Sequence, residues 1–154
     1  MIILHFGEVS MNENKDNPKI GRIFQEKVQE WFVKELKEAF NIEHPVSIGK
    51  PPHPHNFDLA NDSETVVVEC KCYTWTDTGN VPSAKLMGLN EAVFYFSFLS
   101  SDTEKILVMA YAIHPNRIET LAEYYHRINK HLLRDVKIWE YNTKTEEMRK
   151  IKND

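Results

Sequence analysis

The most informative part of this sequence is Asn56-Phe57-Asp58-Leu59-Ala60-Asn61-Asp62-Ser63-Glu64-Thr65-Val66-Val67-Val68-Glu69-Cys70-Lys71-Cys72-Tyr73. Its two ends, Asn56–Ala60 and Thr65–Tyr73, are predicted as strands, the second because β-branched and apolar residues dominate it. The polar residues Asn61–Glu64 predict a tight turn between them, so the two strands form a hairpin. Charged side chains interrupt this apolar hairpin, and burying a charge costs free energy unless the charge is paired or used.

Three of these charged residues, Asp58, Glu69 and Lys71, lie on one face of the hairpin in either of two registers. A turn at Ser63-Glu64 places Asp58 directly opposite Glu69, and a turn one residue earlier places it diagonal to Glu69. The β-carbons of the two acidic residues are then about 4.5–8 Å apart. That separation suits two carboxylates that share a divalent metal, whose bonds to oxygen are roughly 2.0–2.6 Å long.

The rest of the chain is predicted as alternating helices and strands. Apolar residues from Ile20 to Phe40 recur at helical spacing and predict a first helix, helix A. Pro51–His55 is too rich in proline for a regular central strand and is predicted as a rigid connection. The other predicted elements are a strand at Val46–Lys50, a helix from Val81-Pro82-Ser83 to about Leu99 (in which Val93–Leu99 equally suits a strand), a strand at Ile106–Ile113, a helix at Pro115–Leu133 and a strand at Val136–Tyr141. The order α-β-β-β-α-β-α-β indicates an α/β domain with a mixed sheet, and residues 142–154 add a hairpin strand or fray.

Length and composition indicate one globular domain. The chain has 154 residues, of which 42% are hydrophobic and 27% charged, and its formal net charge is −4. We expect residues 1–17 to form a flexible N-terminal arm and residues 18–154 to form the domain. The acidic balance excludes a bulk electrostatic attraction to nucleic acid or anionic lipid, so a nucleic-acid partner would need a local basic patch.

The expected compartment is a reducing cytoplasm. An apolar run of about 18 residues, which a membrane helix requires, does not occur in the sequence. The first residues carry neither a basic leader nor a small-residue cleavage site. Two cysteines do not make a disulfide framework. We therefore expect no membrane partner.

The hairpin resembles a known family of enzymes. Asp58, the turn, and then Glu69-Cys70-Lys71 resemble the Asp…(Asp/Glu)-x-Lys signature of the PD-(D/E)xK nuclease superfamily. The resemblance implies a restriction endonuclease-like fold, which is a mixed β-sheet with an αβββαβ core flanked by helices, over residues of about 20–113. Phe57 stands where that family commonly has a proline.

Helix A carries a second part of the resemblance. Gly21-Arg22-Ile23-Phe24-Gln25 is similar to the Gly-x-x-Phe-(Glu/Gln) pattern that supplies a further acidic or amide group in that family. Gln25 lies roughly 50° from the centre of the apolar face of the helix, whereas Glu26 lies about 150° away from it. Gln25 is therefore the residue predicted to face the sheet, with an amide where a carboxylate would add negative charge.

The implied activity is metal-dependent hydrolysis of phosphodiester bonds in nucleic acid, with DNA as the expected substrate. Asp58, Glu69 and the backbone carbonyl of Cys70 would hold Mg²⁺ or Mn²⁺, which are hard cations that prefer oxygen ligands. Lys71 would orient the attacking water and stabilise developing negative charge, and Gln25 completes the implied catalytic set. A separate recognition domain does not fit in the chain, so sequence specificity would need a homodimer or a separate partner.

Basic residues elsewhere are candidates for substrate contacts. Lys85 lies in the stretch Thr78–Glu91, which resembles the region where that family places a second helix with a Lys or Gln facing the site. Arg127, Lys130 and Arg134 belong to the best candidate patch for phosphate contacts. Each of these residues also fits the simpler interpretation of a solvated helix residue.

Two other functions fit the same residues. A catalytically inactive nuclease-fold domain would serve in nucleic-acid binding or assembly, and glutamine at position 25 keeps this alternative open. An unrelated α/β interaction domain would hold Asp58, Glu69 and Lys71 as a structural ion pair.

Two further groups of residues have structural interpretations. His53-Pro54-His55 is interpreted as part of a proline-rich loop rather than a metal pair, because a third ligand is not close by in the sequence. Cys70 and Cys72 lie on the strand face opposite the charged residues and are interpreted as small core residues.

Overall fold

The computed structural model describes residues 17–152, which form a six-stranded sheet and three helices. The elements in chain order are α1 (Asn17–Leu36), β1 (Phe40–Ile48), β2 (His53–Asn61), β3 (Val66–Lys71), α2 (Ser83–Phe96), β4 (Glu104–Ala110), α3 (Leu121–Asn129), a short 3-10 turn (Lys130–Leu132), β5 (Lys137–Asn142) and β6 (Glu147–Lys150). Only Asn17 of the predicted N-terminal arm is described, and it begins α1 rather than ending an arm. No helix within residues 17–152 is long and apolar enough to cross a membrane.

The strands lie side by side in the order β1-β2-β3-β4-β5-β6. β1, β2 and β3 pair antiparallel, β3, β4 and β5 pair parallel, and β6 returns antiparallel to β5. α2 and α3 connect the parallel strands, as parallel pairing requires a crossover. The predicted α/β class and mixed sheet are confirmed, and the tail follows the predicted hairpin alternative as β6.

The sheet separates two apolar layers. On one face, Phe24, Val28 and Phe32 of α1 pack with residues such as Val68 and Trp139. On the other face, α2 and α3 cover Val67, Leu107, Met109 and Ile138 together with Phe57. Apolar residues therefore occupy both faces of the central strands, which explains why the sequence of β3 and β4 reads as nearly continuous apolar runs.

β1 and β2 change faces halfway along their length. Phe40 and Leu59 belong to the α1 layer, whereas Val46 and Phe57 belong to the opposite layer. In a regular strand, residues an even number apart share a face, so both strands must be distorted between these positions. Glu43, which lies between them on β1, has a φ of 53°, in the left-handed region. The regular pairing also omits the Glu43–Asp58 position, so the distortion coincides with Asp58.

Helix A is shorter than predicted. α1 ends at Leu36, and Phe40 begins β1 instead of ending the helix. Lys37 adopts a left-handed φ of 55° and its N–H donates to the Val33 carbonyl, which closes the last turn. The apolar pattern that continues to Phe40 thus belongs to two elements whose residues reach the same core.

The proline-rich segment is only partly the connection that was predicted: Pro51 and Pro52 lie in the turn after β1, whereas residues 53–55 belong to β2. β2 begins at His53, and Pro54 pairs with Ser47 of β1. β1 itself begins at Phe40, well before the predicted Val46. β3 pairs with β2 at Leu59 and Ala60, which leaves one edge of β2 free at Pro54. A proline is tolerated at such an edge because its missing N–H is not needed there.

The third helix also begins later than predicted. α3 starts at Leu121 rather than at Pro115. Thr120 caps it with a capping box, in which Glu123 N–H donates to the Thr120 hydroxyl oxygen and Thr120 N–H donates to the Glu123 carboxylate. A capping box fixes the first turn of a helix, so it sets this start where a proline does not. The predicted second helix ends at Phe96 rather than Leu99, and Val93–Phe96 is helical.

The packing of α1 predicts a large effect for one core substitution. Phe32 is fully buried and stacks on Trp139, with ring centroids 5.6 Å apart and planes 6° from parallel. We expect Phe32→Ala to lower the free energy of unfolding by roughly 3–5 kcal/mol, because it leaves a cavity between helix and sheet. The neighbouring Val33→Ala, at a side chain that is 40% exposed, should change it by less than about 0.5 kcal/mol. Urea denaturation of both variants measures this, and equal effects would contradict the proposed packing.

Candidate active site

The site lies where β2 and β3 stop pairing. Their paired residues are Leu59 with Val68 and Ala60 with Val67. Continued by one step, this register places Asp58 opposite Glu69, which is the first of the two predicted registers. The tight turn itself is centred on Asp62 and Ser63, because the Glu64 N–H donates to the carbonyl of Asn61, and Glu64 then adopts a left-handed φ of 56° before β3 begins at Val66.

The side chains of Asp58 and Glu69 take the place of the backbone ladder. The Cys70 N–H donates to Asp58 Oδ2 at 2.7 Å, and the Asp58 N–H donates to Glu69 Oε1 at 3.3 Å. Each carboxylate thus accepts an N–H from the opposite strand that would otherwise lack a partner. This reciprocal arrangement fixes the two acidic side chains beside each other at the point where the strands separate.

Gln25 reaches the same point from α1. Its amide Nε2 donates to the backbone carbonyl of Asp58 at 2.9 Å and lies 3.5 Å from Glu43 Oε1. The prediction that Gln25 faces the sheet is confirmed, while Glu26 pairs with Arg22 on the exposed side of the helix. Sequence reasoning missed Glu43, because residues 41–45 were not assigned to an element and its place beside Asp58 depends on the strand distortion.

Lys71 completes the charged group. Its Nζ lies 3.8 Å from Glu69 Oε2, and its side chain is mostly buried. Burial lowers the pKa of Lys71, but the negative groups around it, with Glu69 the strongest, outweigh burial and raise it. The ammonium group is therefore charged at neutral pH.

Glu69 is the most perturbed acid of the site. It is 7% exposed. Burial, the negative charge of Asp58 and a hydrogen bond between the two carboxyl groups raise the pKa of Glu69 from 4.5 to about 8, although Lys71 opposes the shift. Two carboxyl groups held this close favour a shared proton or a cation between them.

The place beside Asp58 and Glu69 where β2 and β3 separate is called the fork. A cavity of about 250 Å³ opens between the fork and α2. Its wall combines charged, polar and aromatic side chains from β2, β3 and α2, together with the residues that follow β3. The lining residues are His55, Asn56, Glu69, Lys71, Tyr73, Gly88, Glu91, Ala92 and Tyr95. The contributions of α2 and Tyr73 were missed by sequence reasoning, because they meet the hairpin only through the crossover connection.

Lys85 and the basic patch do not join this cavity. Lys85 is exposed and lines a separate groove of about 550 Å³ beside Trp75. Arg127 and Lys130 line another groove, of about 530 Å³, to which Arg149, Lys150 and Lys152 also contribute. Arg134 lies apart, beside Asp135 in a pocket of mixed polar and apolar lining. The predicted patch is thus divided, and Arg127 is already paired with Glu119 at 2.6 Å.

The donor set of the fork limits what metal it can hold. Within residues 17–152, no group of three or more His, Cys, Asp or Glu side chains is placed to hold a metal ion. Asp58 and Glu69 therefore offer two carboxylates and no soft ligand. At Cys70 it is the N–H that contacts Asp58, and the role predicted for its carbonyl stays a prediction. The Cys70 and Cys72 side chains pack against the α1 layer as predicted.

The predicted loop histidines are strand residues. The His55 ring stacks on Tyr95, with centroids 3.8 Å apart and planes 11° from parallel. His53 Nδ1 lies 3.0 Å from the Pro54 carbonyl oxygen. Stacking of His55 on an aromatic ring of α2 gives it a packing role at the rim of the cavity.

The chain has no significant match among protein-family models, curated proteins or solved structures. Its own residues and their geometry therefore carry the argument for function.

The buried carboxyl group predicts a pH-dependent stability. Because the pKa of Glu69 is higher in the folded chain, the group is neutral when folded and ionised when unfolded between about pH 4.5 and 8. Wild-type stability therefore falls as pH rises through this window. We expect metal-free Glu69→Gln to match wild type near pH 4 and to exceed it near pH 9 by on the order of a few kcal/mol. Urea denaturation with a chelator at both pH values measures the difference.

The control for Glu69→Gln is a substitution of a second carboxylate in the same cavity. Asp58 and Lys71 are the charged groups in contact with Glu69, and His55, Tyr73 and Glu91 are the other titratable groups around the cavity. Glu91→Gln removes an exposed carboxylate and should change stability by less than about 0.5 kcal/mol at either pH. A Glu69→Gln effect of the same size at both pH values would contradict the burial of an ionisable group.

Proposed function

We propose that this chain is a small nuclease of the PD-(D/E)xK type that hydrolyses phosphodiester bonds of nucleic acid, DNA above all, with Mg²⁺ or Mn²⁺. The observation that carries the proposal is the fork of β2 and β3, where Glu69 accepts the Asp58 N–H, Asp58 accepts the Cys70 N–H, and the Lys71 Nζ lies 3.8 Å from Glu69 Oε2. An acid pair and a lysine in one partly buried group are the side chains that the resemblance to PD-(D/E)xK nucleases implies for such hydrolysis.

The donor set suits a hydrated hard cation. Mg²⁺ is commonly bound through one or two carboxylates and keeps several waters, so two carboxylates suffice where three side-chain ligands are not available. Asp58 and Glu69 would hold it, with the Cys70 carbonyl as a further oxygen. When bound, the cation supplies polarisation of the phosphate and a water of lowered pKa.

The remaining residues of the site have distinct tasks. Lys71 keeps its proton, so its ammonium group can hold a water by hydrogen bond and stabilise negative charge that develops on a phosphoryl oxygen. Gln25 fixes the Asp58 backbone, because its uncharged amide donates a hydrogen bond to the Asp58 carbonyl. Glu69, with its raised pKa, must release a proton before it binds a cation, so cation affinity should rise with pH.

The position of the site in the sheet supports the proposal. Lys71 is the last residue of β3, whose pairing with β4 is parallel. Ligands of open α/β sheets bind beyond the carboxyl ends of the strands, and the cavity lies there. The restriction endonuclease-like arrangement remains part of the proposal, supported by the order of α1, the hairpin of β2 and β3, α2 and β4 along the chain.

A second candidate is a domain of this fold that binds nucleic acid or serves in assembly without cutting it. Gln25 favours it, because its amide is occupied by the Asp58 carbonyl and by Glu43 instead of adding a carboxylate to the fork. The absence of a group of three acidic or histidine ligands within residues 17–152 favours it as well. Specificity under either candidate would come from a homodimer or a separate partner.

Three variants separate the two candidates. With Mn²⁺ alone, we expect Asp58→Ala and Glu69→Ala to weaken binding more than tenfold, since loss of a supporting residue already costs about 10–100-fold. Lys71→Ala should bind Mn²⁺ like wild type and degrade DNA about 10²–10³-fold more slowly. Calorimetry measures binding, and digestion of labelled single- and double-stranded DNA and RNA measures turnover.

Matched substitutions control for charge. Asp102→Ala and Lys144→Ala remove an exposed acid and an exposed lysine outside the site and should change neither quantity. If wild type binds DNA without metal-dependent cleavage, the second candidate stands. If Asp58→Ala binds Mn²⁺ as well as wild type does, the metal site is refuted.

A further inference from the structure

Gly88 lies inside α2 and faces the candidate site. A β-carbon at this position would lie 2.6 Å from the hydroxyl oxygen of Tyr73, closer than such atoms approach. The same β-carbon would lie 3.6 Å from Tyr73 Cζ and 3.7 Å from Cε2, which are ordinary contacts. Space at Gly88 is therefore needed for the oxygen of Tyr73 and not for its ring.

A glycine within a helix has a cost. Glycine is the least favourable residue in a helix interior after proline, because it restricts a flexible backbone and buries nothing. An alanine at position 88 would fit a phenylalanine at position 73 but not a tyrosine. The chain thus gives up helix propensity for the position of a single hydroxyl group.

That hydroxyl belongs to a side chain of the cavity wall. Tyr73 follows Lys71 by two residues beyond the end of β3, and both line the cavity with Glu69 and Glu91. Tyr73 is partly exposed. A carboxylate repels an anionic substrate, so the groups of this wall that suit one are the Lys71 ammonium and the polar donors of Tyr73, Asn56 and His55. Among these donors, the Tyr73 hydroxyl is the one for which α2 leaves room, at Gly88.

We propose that the Tyr73 hydroxyl is a further catalytic residue, which donates a hydrogen bond to a phosphoryl oxygen of the nucleic acid bound beside Lys71. This inference rests on the proposed nuclease function and deepens it. The contact stabilises charge on that oxygen through a hydrogen bond alone, so no covalent bond to Tyr73 forms or breaks.

The experiment compares Tyr73→Phe with wild type in two assays. Cleavage of labelled DNA with Mg²⁺ should slow about 10–100-fold. Fluorescence anisotropy of a short fluorescein-labelled single strand and its duplex, with Ca²⁺ in place of Mg²⁺, should show affinity reduced about 3–10-fold. Mn²⁺ affinity and the thermal midpoint should not change, because the ring and the metal ligands remain.

Gly88→Ala provides an independent variant. It displaces the hydroxyl without removing it, so it should reproduce the losses of Tyr73→Phe in both assays. In the Tyr73→Phe background the added methyl meets no oxygen, so Gly88→Ala should cause no further loss and should raise the thermal midpoint. Tyr111→Phe, at an exposed tyrosine that does not line the cavity, is the control.

The outcomes separate this inference from the proposed function. If wild type cleaves DNA and Tyr73→Phe cleaves and binds equally well, the role of Tyr73 is refuted and the nuclease stands. If wild type does not cleave, the nuclease is refuted, and equal oligonucleotide binding by Tyr73→Phe and wild type refutes the contact as well. A thermal midpoint that falls together with both assays would assign Tyr73 a packing role and overturn the inference.

Discussion

Asp58 and the Glu69–Cys70 segment exchange side-chain and backbone hydrogen bonds, and this exchange lets β2 and β3 separate beside the candidate site. Two strands that stop pairing leave N–H groups without acceptors, and burying them unpaired costs about 1–3 kcal/mol each. Here the carboxylates accept them, from Cys70 at 2.7 Å and from Asp58 at 3.3 Å. The strands can therefore separate while both backbone N–H groups keep a hydrogen-bond acceptor. The cavity forms in the space between the separated strands and α2.

The same hydrogen bonds hold two acidic groups beside each other, and the surrounding residues compensate their mutual repulsion only in part. Lys71 offsets some of the repulsion, while burial adds to the difficulty of ionising Glu69, whose pKa rises to about 8. Buried charged groups of this kind are often less stable than apolar residues of the same shape. Such local cost is characteristic of sites whose geometry is set by function rather than by folding.

Local sequence determined most of the elements and the contents of the fork. The β-branched run of β3, the helical periodicity of α1 and the polar turn before Val66 are short-range signals, and each produced the predicted element. The wheel position of Gln25 was equally local, and the structure places its amide on the Asp58 carbonyl.

The features that sequence reasoning missed depend on distant partners or on backbone conformation. The left-handed φ at Lys37, where α1 ends, and the one at Glu43, where β1 and β2 change faces, occur at residues whose type does not require it. Pro54 fits β2 only because β3 pairs further along the strand. The groove that Arg127 shares with Arg149 and Lys150 joins segments that are far apart in the chain.

The change of face in β1 and β2 links the packing of the two apolar layers. Phe40 and Leu59 are anchored in the layer under α1, and Val46 and Phe57 of the same two strands are anchored in the layer under α2. The hairpin of β1 and β2 thus packs in both apolar layers, so neither layer can unfold without disrupting the other. Heat or denaturant should therefore unfold this domain in a single cooperative transition. The fork, which lies where the strands change faces, should stay folded until that transition.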